Sequence, residues 1–223
     1  AINALRVARA IVGADGGARV LVAGVELSSL HMLASTRRDH LVSACLFGDG
    51  AAAAVVAAHP GAPIRILRTG SIVFPDSEGA MGWTIGDGGF EMTLAESVPD
   101  RIGALVGPWV GEWLGMDLGE PGFQSLAWCV HPGGPRVLDV VSESLGVPPE
   151  AMLPSREVLR GFGNMSSVTT LFILERMFRS WRSRGGREAC RAVALGFGPG
   201  LAGEAALVEF ATGASGPPVH SGL

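Results

Sequence analysis

Seven consecutive residues constrain the fold of this chain more than any others: Cys129-Val130-His131-Pro132-Gly133-Gly134-Pro135. The apolar run Leu126–Val130 ahead of the His reads as a buried strand. Pro135 stands at the favoured first helical position, so the turn launches a helix at Arg136. A buried strand that turns directly into a helix belongs to an α/β architecture. His131 closes the strand beside glycines over which a ligand can approach the main chain. A second stretch, Gly163-Asn164-Met165-Ser166-Ser167, sets a carboxamide after a Gly-Phe-Gly turn and before a long apolar helix. Singly, His131 is an ordinary strand-end residue and Asn164 an ordinary helix cap. Together, an imidazole and a carboxamide at the mouths of two rigid elements can hold negative charge developing on a carbonyl oxygen.

The remaining elements follow from apolar periodicity and turn residues. Residues 1–12 read as a helix with Ile2, Leu5, Ala8 and Val12 on one face, and residues 13–17 as a turn. Residues 19–26 form a buried strand, 27–40 a polar loop with at most one helical turn, and 51–58 a close-packed strand after Gly48-Asp49-Gly50. His59-Pro60-Gly61-Ala62-Pro63 is the clearest boundary. Beyond it, residues 64–74 predict a strand, and residues 81–94 two short strands around Gly86-Asp87-Gly88-Gly89. Residues 98–114 predict a helix with Trp109 and Trp113 at i, i+4 spacing. The strand 124–130 and helix 136–145 surround His131. A short helix over 154–160, a long one over 167–184 and strands over 191–195 and 205–210 complete the pattern. Residues 213–223, rich in Gly, Pro and Ser, predict a flexible tail.

These motifs resemble the type III polyketide synthases, the chalcone synthase family. His-Pro-Gly-Gly-Pro at 131–135, Gly-Asn-Met-Ser-Ser at 163–167 and Gly196-Phe197-Gly198-Pro199-Gly200 occur in the family's order. Leu46-Phe47-Gly48-Asp49-Gly50-Ala51-Ala52 precedes them as a fourth block. The similarity spans about residues 1–211. It implies a thiolase-type layered αβαβα fold with mixed sheets, here with the first half incomplete: residues 1–60 form the rear of the N-terminal half and 61–212 the C-terminal half. It also implies a homodimer, and acyl-CoA and malonyl-CoA as substrates with no further cofactor and no metal. The expected reaction is decarboxylative condensation followed by closure to a pyrone or resorcinol-type ring.

Carried over residue by residue, the resemblance makes His131 and Asn164 the donors to a thioester oxygen, with His131 as imidazolium also pairing a thiolate. Phe47 becomes an apolar gate that desolvates the malonyl carboxylate. Trp83, Thr84, Met92, Ser166 and His31 fall where the acyl cavity is lined. Gly133 and Gly134 give close main-chain approach, Arg136 matches a coenzyme A phosphate position, and the Gly198-Pro199 turn lies near the cavity. Met81-Gly82-Trp83 with Gly89-Phe90 is more similar to bacterial alkylpyrone and alkylresorcinol synthases than to the plant enzymes.

The family's nucleophilic cysteine aligns a few residues before Ala1. The chain opens inside a helical pattern, so it reads as the later part of a longer protein. Its own cysteines predict packing: Cys129 in the core strand, Cys45 in a buried run two residues before Phe47, and Cys190 ahead of a core strand. Two alternatives remain at this level, a ketoacyl-carrier-protein synthase of the third kind and a non-catalytic dimerising or acyl-binding relic. The former's His-Gln-Ala-Asn is replaced here by His131-Pro132-Gly133-Gly134.

Composition narrows the partners. Apolar residues make up 48% and charged residues only 17%, so the chain predicts extra surface buried against a partner. All 17 basic residues are Arg, none clustered, and the net charge is −4, which gives nucleic-acid binding no support. The lack of Lys and Tyr beside abundant Ala and Gly reads as the coding bias of a GC-rich genome. Three cysteines without paired spacing argue for a reducing cytoplasm rather than a disulfide framework. No apolar run is long enough to span a membrane.

Overall fold

The computed structural model describes residues 1–32, 36–86 and 89–212. Helix α1 (Ile2–Ala14), strand β1 (Arg19–Glu26), a 3-10 turn (Ser28–His31), α2 (Arg38–Leu46) and β2 (Gly50–Ala57) come first. Then follow β3 (Ile64–Val73), the hairpin β4 (Met81–Gly86) and β5 (Gly89–Leu94), α3 (Val98–Leu114), α4 (Pro121–Gln124) and β6 (Ala127–Val130). The last elements are α5 (Pro135–Leu145), a 3-10 turn (Pro149–Met152), α6 (Leu153–Phe162), a 3-10 turn (Ser166–Val168), α7 (Thr169–Ser183), β7 (Cys190–Gly198) and β8 (Ala202–Phe210).

The main sheet has the order β3-β8-β7-β6, with β6 parallel to β7 and the other pairs antiparallel. Both faces are covered, which is why its strands read as unbroken apolar runs instead of alternating ones. Trp128, Val130, Val193 and Leu195 enter the cluster beneath α3 and α5, whereas Cys129, Ala192, Ala194 and Val208 enter the one beneath α7. On α3, Gly107 lets α5 approach closely: a Cβ there would lie 2.1 Å from the Ser144 carbonyl oxygen. Trp109 and Trp113 pair at 6.5 Å between ring centroids, as their spacing predicts.

The β1–β2 ribbon is a separate sheet, packed on α1 through Leu5, Ala8 and Val22. Its other face is apolar and open. Leu21 faces Val55 and Val25 faces Ala51, with Leu21, Val25 and Val55 each about two-thirds exposed.

Three sequence expectations are corrected. Residues 38–46 form α2 rather than a loop running into a buried strand, and Cys45 on it is exposed. The polar opening Arg37-Arg38-Asp39-His40 hid this helix. Strand β7 continues through Gly198, so Gly196 and Phe197 lie in the ladder and the turn contracts to residues 199–201. Gln124 ends α4, and β6 begins only at Ala127. The predicted turn residues Asp87 and Gly88 and the tail 213–223 lie outside the described residues.

Candidate active site

The site forms where β6, α1, α2 and the α6–α7 connection meet. Beyond Val130, the His131 N–H still donates to the Leu195 carbonyl (2.8 Å), prolonging the β6–β7 ladder by one bond. Gly133 N–H donates back to the His131 carbonyl (3.0 Å), the main chain turns, and Pro135 starts α5. This pins the His131 backbone while the imidazole lines a cavity of about 590 Å³. Among the described residues, no polar group hydrogen bonds the imidazole.

Asn164 is fixed more tightly still. Its main chain forms a parallel bridge with Phe47: Asn164 N–H donates to the Leu46 carbonyl (2.8 Å), and Gly48 N–H donates to the Asn164 carbonyl (3.0 Å). Two loops distant in sequence can approach so closely only because glycines flank the contact. A Cβ on Gly48 would lie 2.2 Å from the Phe162 carbonyl oxygen. Gly163 holds φ +74, the left-handed region that favours glycine. The blocks containing Leu46-Phe47-Gly48 and Gly163-Asn164 are therefore two sides of one contact. Gly48→Ala is expected to lower stability by about 2–4 kcal/mol, by forcing apart a packed main-chain contact, and to cut activity as Asn164 shifts. Urea unfolding beside a turnover assay checks both effects; wild-type values in each would contradict the role assigned to this contact.

The Asn164 side chain is buried, and its Oδ1 accepts the Ser166 N–H (2.9 Å). That bond fixes which end of the amide is oxygen. It leaves Nδ2 as a donor on a residue that lines the same cavity as His131. The site thus places an imidazole and an amide donor on one cavity.

Burial holds the His131 imidazole down at about 4. Burial therefore disfavours a proton on the ring when no anion is beside it. In apolar surroundings, the ring takes a proton only when an anion sits beside it. Because the folded pKa lies below the ordinary 6.5, the unfolded chain binds more protons between pH 6.5 and 4. Stability therefore falls as pH drops through that window. His131→Gln is expected to flatten this slope in urea midpoints measured against pH; an unchanged slope would contradict the assignment.

Phe47, Trp83, Met92, Ser166, Gly133, Gly134, Arg136, Gly198 and Pro199 all line the His131 cavity. Arg136 is exposed and paired with Asp100 at 2.6 Å, so part of its charge is already matched. His31 lies elsewhere, in a second chamber of about 360 Å³ that also touches Phe47, Trp83 and Met92. Phe47 and Trp83 meet edge to face at 6.2 Å, forming part of a shared wall. Thr84, next along β4 from Trp83, is exposed and lines neither space.

No cysteine among the described residues lines either cavity. Cys129 is buried with Sγ donating to the Thr170 carbonyl (3.5 Å), and burial pushes its thiol far up. Cys190 is half-buried and likewise raised by burial. Among the described residues, no cluster of His, Cys, Asp and Glu could hold a metal ion, and no helix is long and apolar enough to cross a membrane.

The sequence reading missed Glu204, which lines the His131 cavity and carries one oxygen without a hydrogen-bond partner. It also missed the first turn of α1, which lines the same cavity through Ala1, Ile2 and Asn3. A lone acid at the start of the apolar strand Ala202–Phe210 was the available signal for Glu204.

Helices over both faces of a mixed sheet, with a strand-end His and a loop-clamped Asn on one cavity, define a thiolase-like α/β fold with a paired-donor site. Residues 1–60 match the model of the N-terminal domain of chalcone and stilbene synthases, and residues 65–211 match that of the C-terminal domain. The chain belongs to this family. It is also similar to the crystal structure of PKS-I from the brown alga Ectocarpus siliculosus, at 26% identity and a TM-score of 0.83. The match covers 94% of this chain and 57% of that one, so the chain spans little more than half the length of that structure.

Proposed function

We propose that this chain carries the oxyanion-holding part of a type III polyketide synthase. The enzyme would extend an acyl-CoA starter with malonyl-CoA and then close a pyrone or resorcinol-type ring. The convergence of His131 and the Asn164 amide on one cavity carries this reading. A malonyl thioester oxygen accepts from both donors while the carboxylate, desolvated beside Phe47, leaves as CO2. The electron pair from the broken C–C bond becomes an enolate whose oxygen the two donors hold. The enolate carbon then attacks an acyl thioester on a cysteine that lies outside this stretch; the C–C bond forms, the acyl C–S bond breaks and the thiolate leaves with the C–S electron pair, hydrogen bonded by the His131 ring.

On this reading, residues 1–60 are the rear of an N-terminal half and 61–212 the C-terminal half. The enzyme is a cytoplasmic homodimer and needs no cofactor beyond its coenzyme A thioesters. Sparse charge supports a partnered surface; a single-subunit mass for the intact protein would contradict the dimer. The decisive test is steady-state turnover of free malonyl-CoA with an acyl-CoA panel and no carrier protein, with products read by mass spectrometry. Strict dependence on a carrier protein would overturn the proposal in favour of a ketoacyl-carrier-protein synthase activity.

A further inference from the structure

The chamber that contains His31 is separate from the His131 cavity, yet it touches the same three side chains, Phe47, Trp83 and Met92. It is large enough for a small ligand. Its histidine is held from two sides. Asp49 accepts Ser29 N–H on one oxygen (2.8 Å) and Ser29 Oγ–H on the other (2.5 Å), which anchors the 3-10 turn Ser28–His31. Across from it, Gly89 leaves the space the ring occupies: a Cβ there would lie 3.1 Å from His31 Nδ1. The anchored turn and the bare main chain at Gly89 place the His31 ring on the chamber, where an imidazole can act as a proton acceptor.

We propose that His31 is the base for carbon–carbon ring closure, acting on the part of a poly-β-keto chain that passes the Phe47–Trp83 wall. This rests on the polyketide synthase reading above. The separation of the two spaces selects the chemistry. Lactone formation consumes the thioester carbonyl itself, which His131 and Asn164 hold on the far side of the wall. A base behind that wall meets only carbons remote from the thioester. His31 takes a proton from a methylene flanked by two carbonyls. The carbanion forms a C–C bond to a ketone carbon of the same chain, and that ketone's π electrons move to its oxygen. The imidazolium returns the proton to this alkoxide, so the ring ends neutral and the chain gains a hydroxyl that later leaves as water.

The test compares intact wild-type enzyme with His31→Gln and His31→Phe, given acyl-CoA and malonyl-CoA. The readout is the ratio of carbocyclic to lactone products per coenzyme A released. Both variants are expected to lower that ratio about tenfold or more, because neither side chain can accept the proton. A ratio within about twofold of wild type in His31→Gln overturns the proposal. So does a wild-type ratio in His31→Phe, since a bulky ring would then suffice and the histidine would only shape the wall. If His31→Gln fails to fold, His31→Asn is read in its place. Wild-type enzyme that makes only lactones also overturns it, while the absence of malonyl-dependent coenzyme A release from wild type overturns the polyketide synthase reading beneath it.

Discussion

His131→Ala abolishes malonyl-CoA decarboxylation in the intact protein, leaving less than about a thousandth of wild-type CO2 release. The expected loss exceeds that of a single oxyanion donor, because on the proposed reading the same imidazole also pairs the sulfur. One donor alone is worth about 10²–10³ in rate. The variant should fold normally: the imidazole makes no hydrogen bond among the described residues, and the backbone bond to Leu195 survives the substitution. Labelled CO2 release beside a thermal melt checks both halves. Near-normal decarboxylation by a folded variant would remove His131 from the reaction.

Asn164→Ala lowers decarboxylation and condensation together by about 10²–10³. The two main-chain bonds to Leu46 and Gly48 do not depend on the side chain, so the loop stays where it is. Losing the Oδ1 bond to Ser166 N–H costs about 1 kcal/mol of stability, too little to unfold the domain. Asn164→Asp separates geometry from donation. The carboxylate matches the amide in shape and can still cap Ser166, but it offers the thioester oxygen a repelling acceptor. Its rate should be no better than that of Asn164→Ala. An Asp variant close to wild type would show that Asn164 holds only the loop.

Much of this was legible in the sequence because the same residues proposed to do the chemistry also punctuate the fold. His-Pro-Gly-Gly-Pro marks a strand end and a helix start whatever its function, and the apolar runs at 126–130 and 191–195 announce a sheet covered on both faces. Helix α2 was less legible: Leu41 and Val42 on it are about half exposed, so little apolar patterning marks its buried side. The end of β7 was misread because glycine usually signals a turn, yet Phe197 and Gly198 pair in register with Gly203 and Ala202. The division between the two chambers could not be read from sequence. It depends on how the Phe47 and Trp83 rings meet, and residue identities carry no ring angles. The lowering of the His131 pKa by burial was hidden for a similar reason, since it depends on which atoms surround a ring in space.

The main-chain bridge between Phe47 and Asn164 also bears on how this protein reaches its working form. Its partners are far apart in sequence, at residues 47 and 164, so closing it, like pairing β3 with β8, carries the cost of a non-local contact. Helices α3 and α5 rest on local contacts and can form before either pairing closes. Enzymatic output during refolding should therefore lag behind the recovery of helical signal.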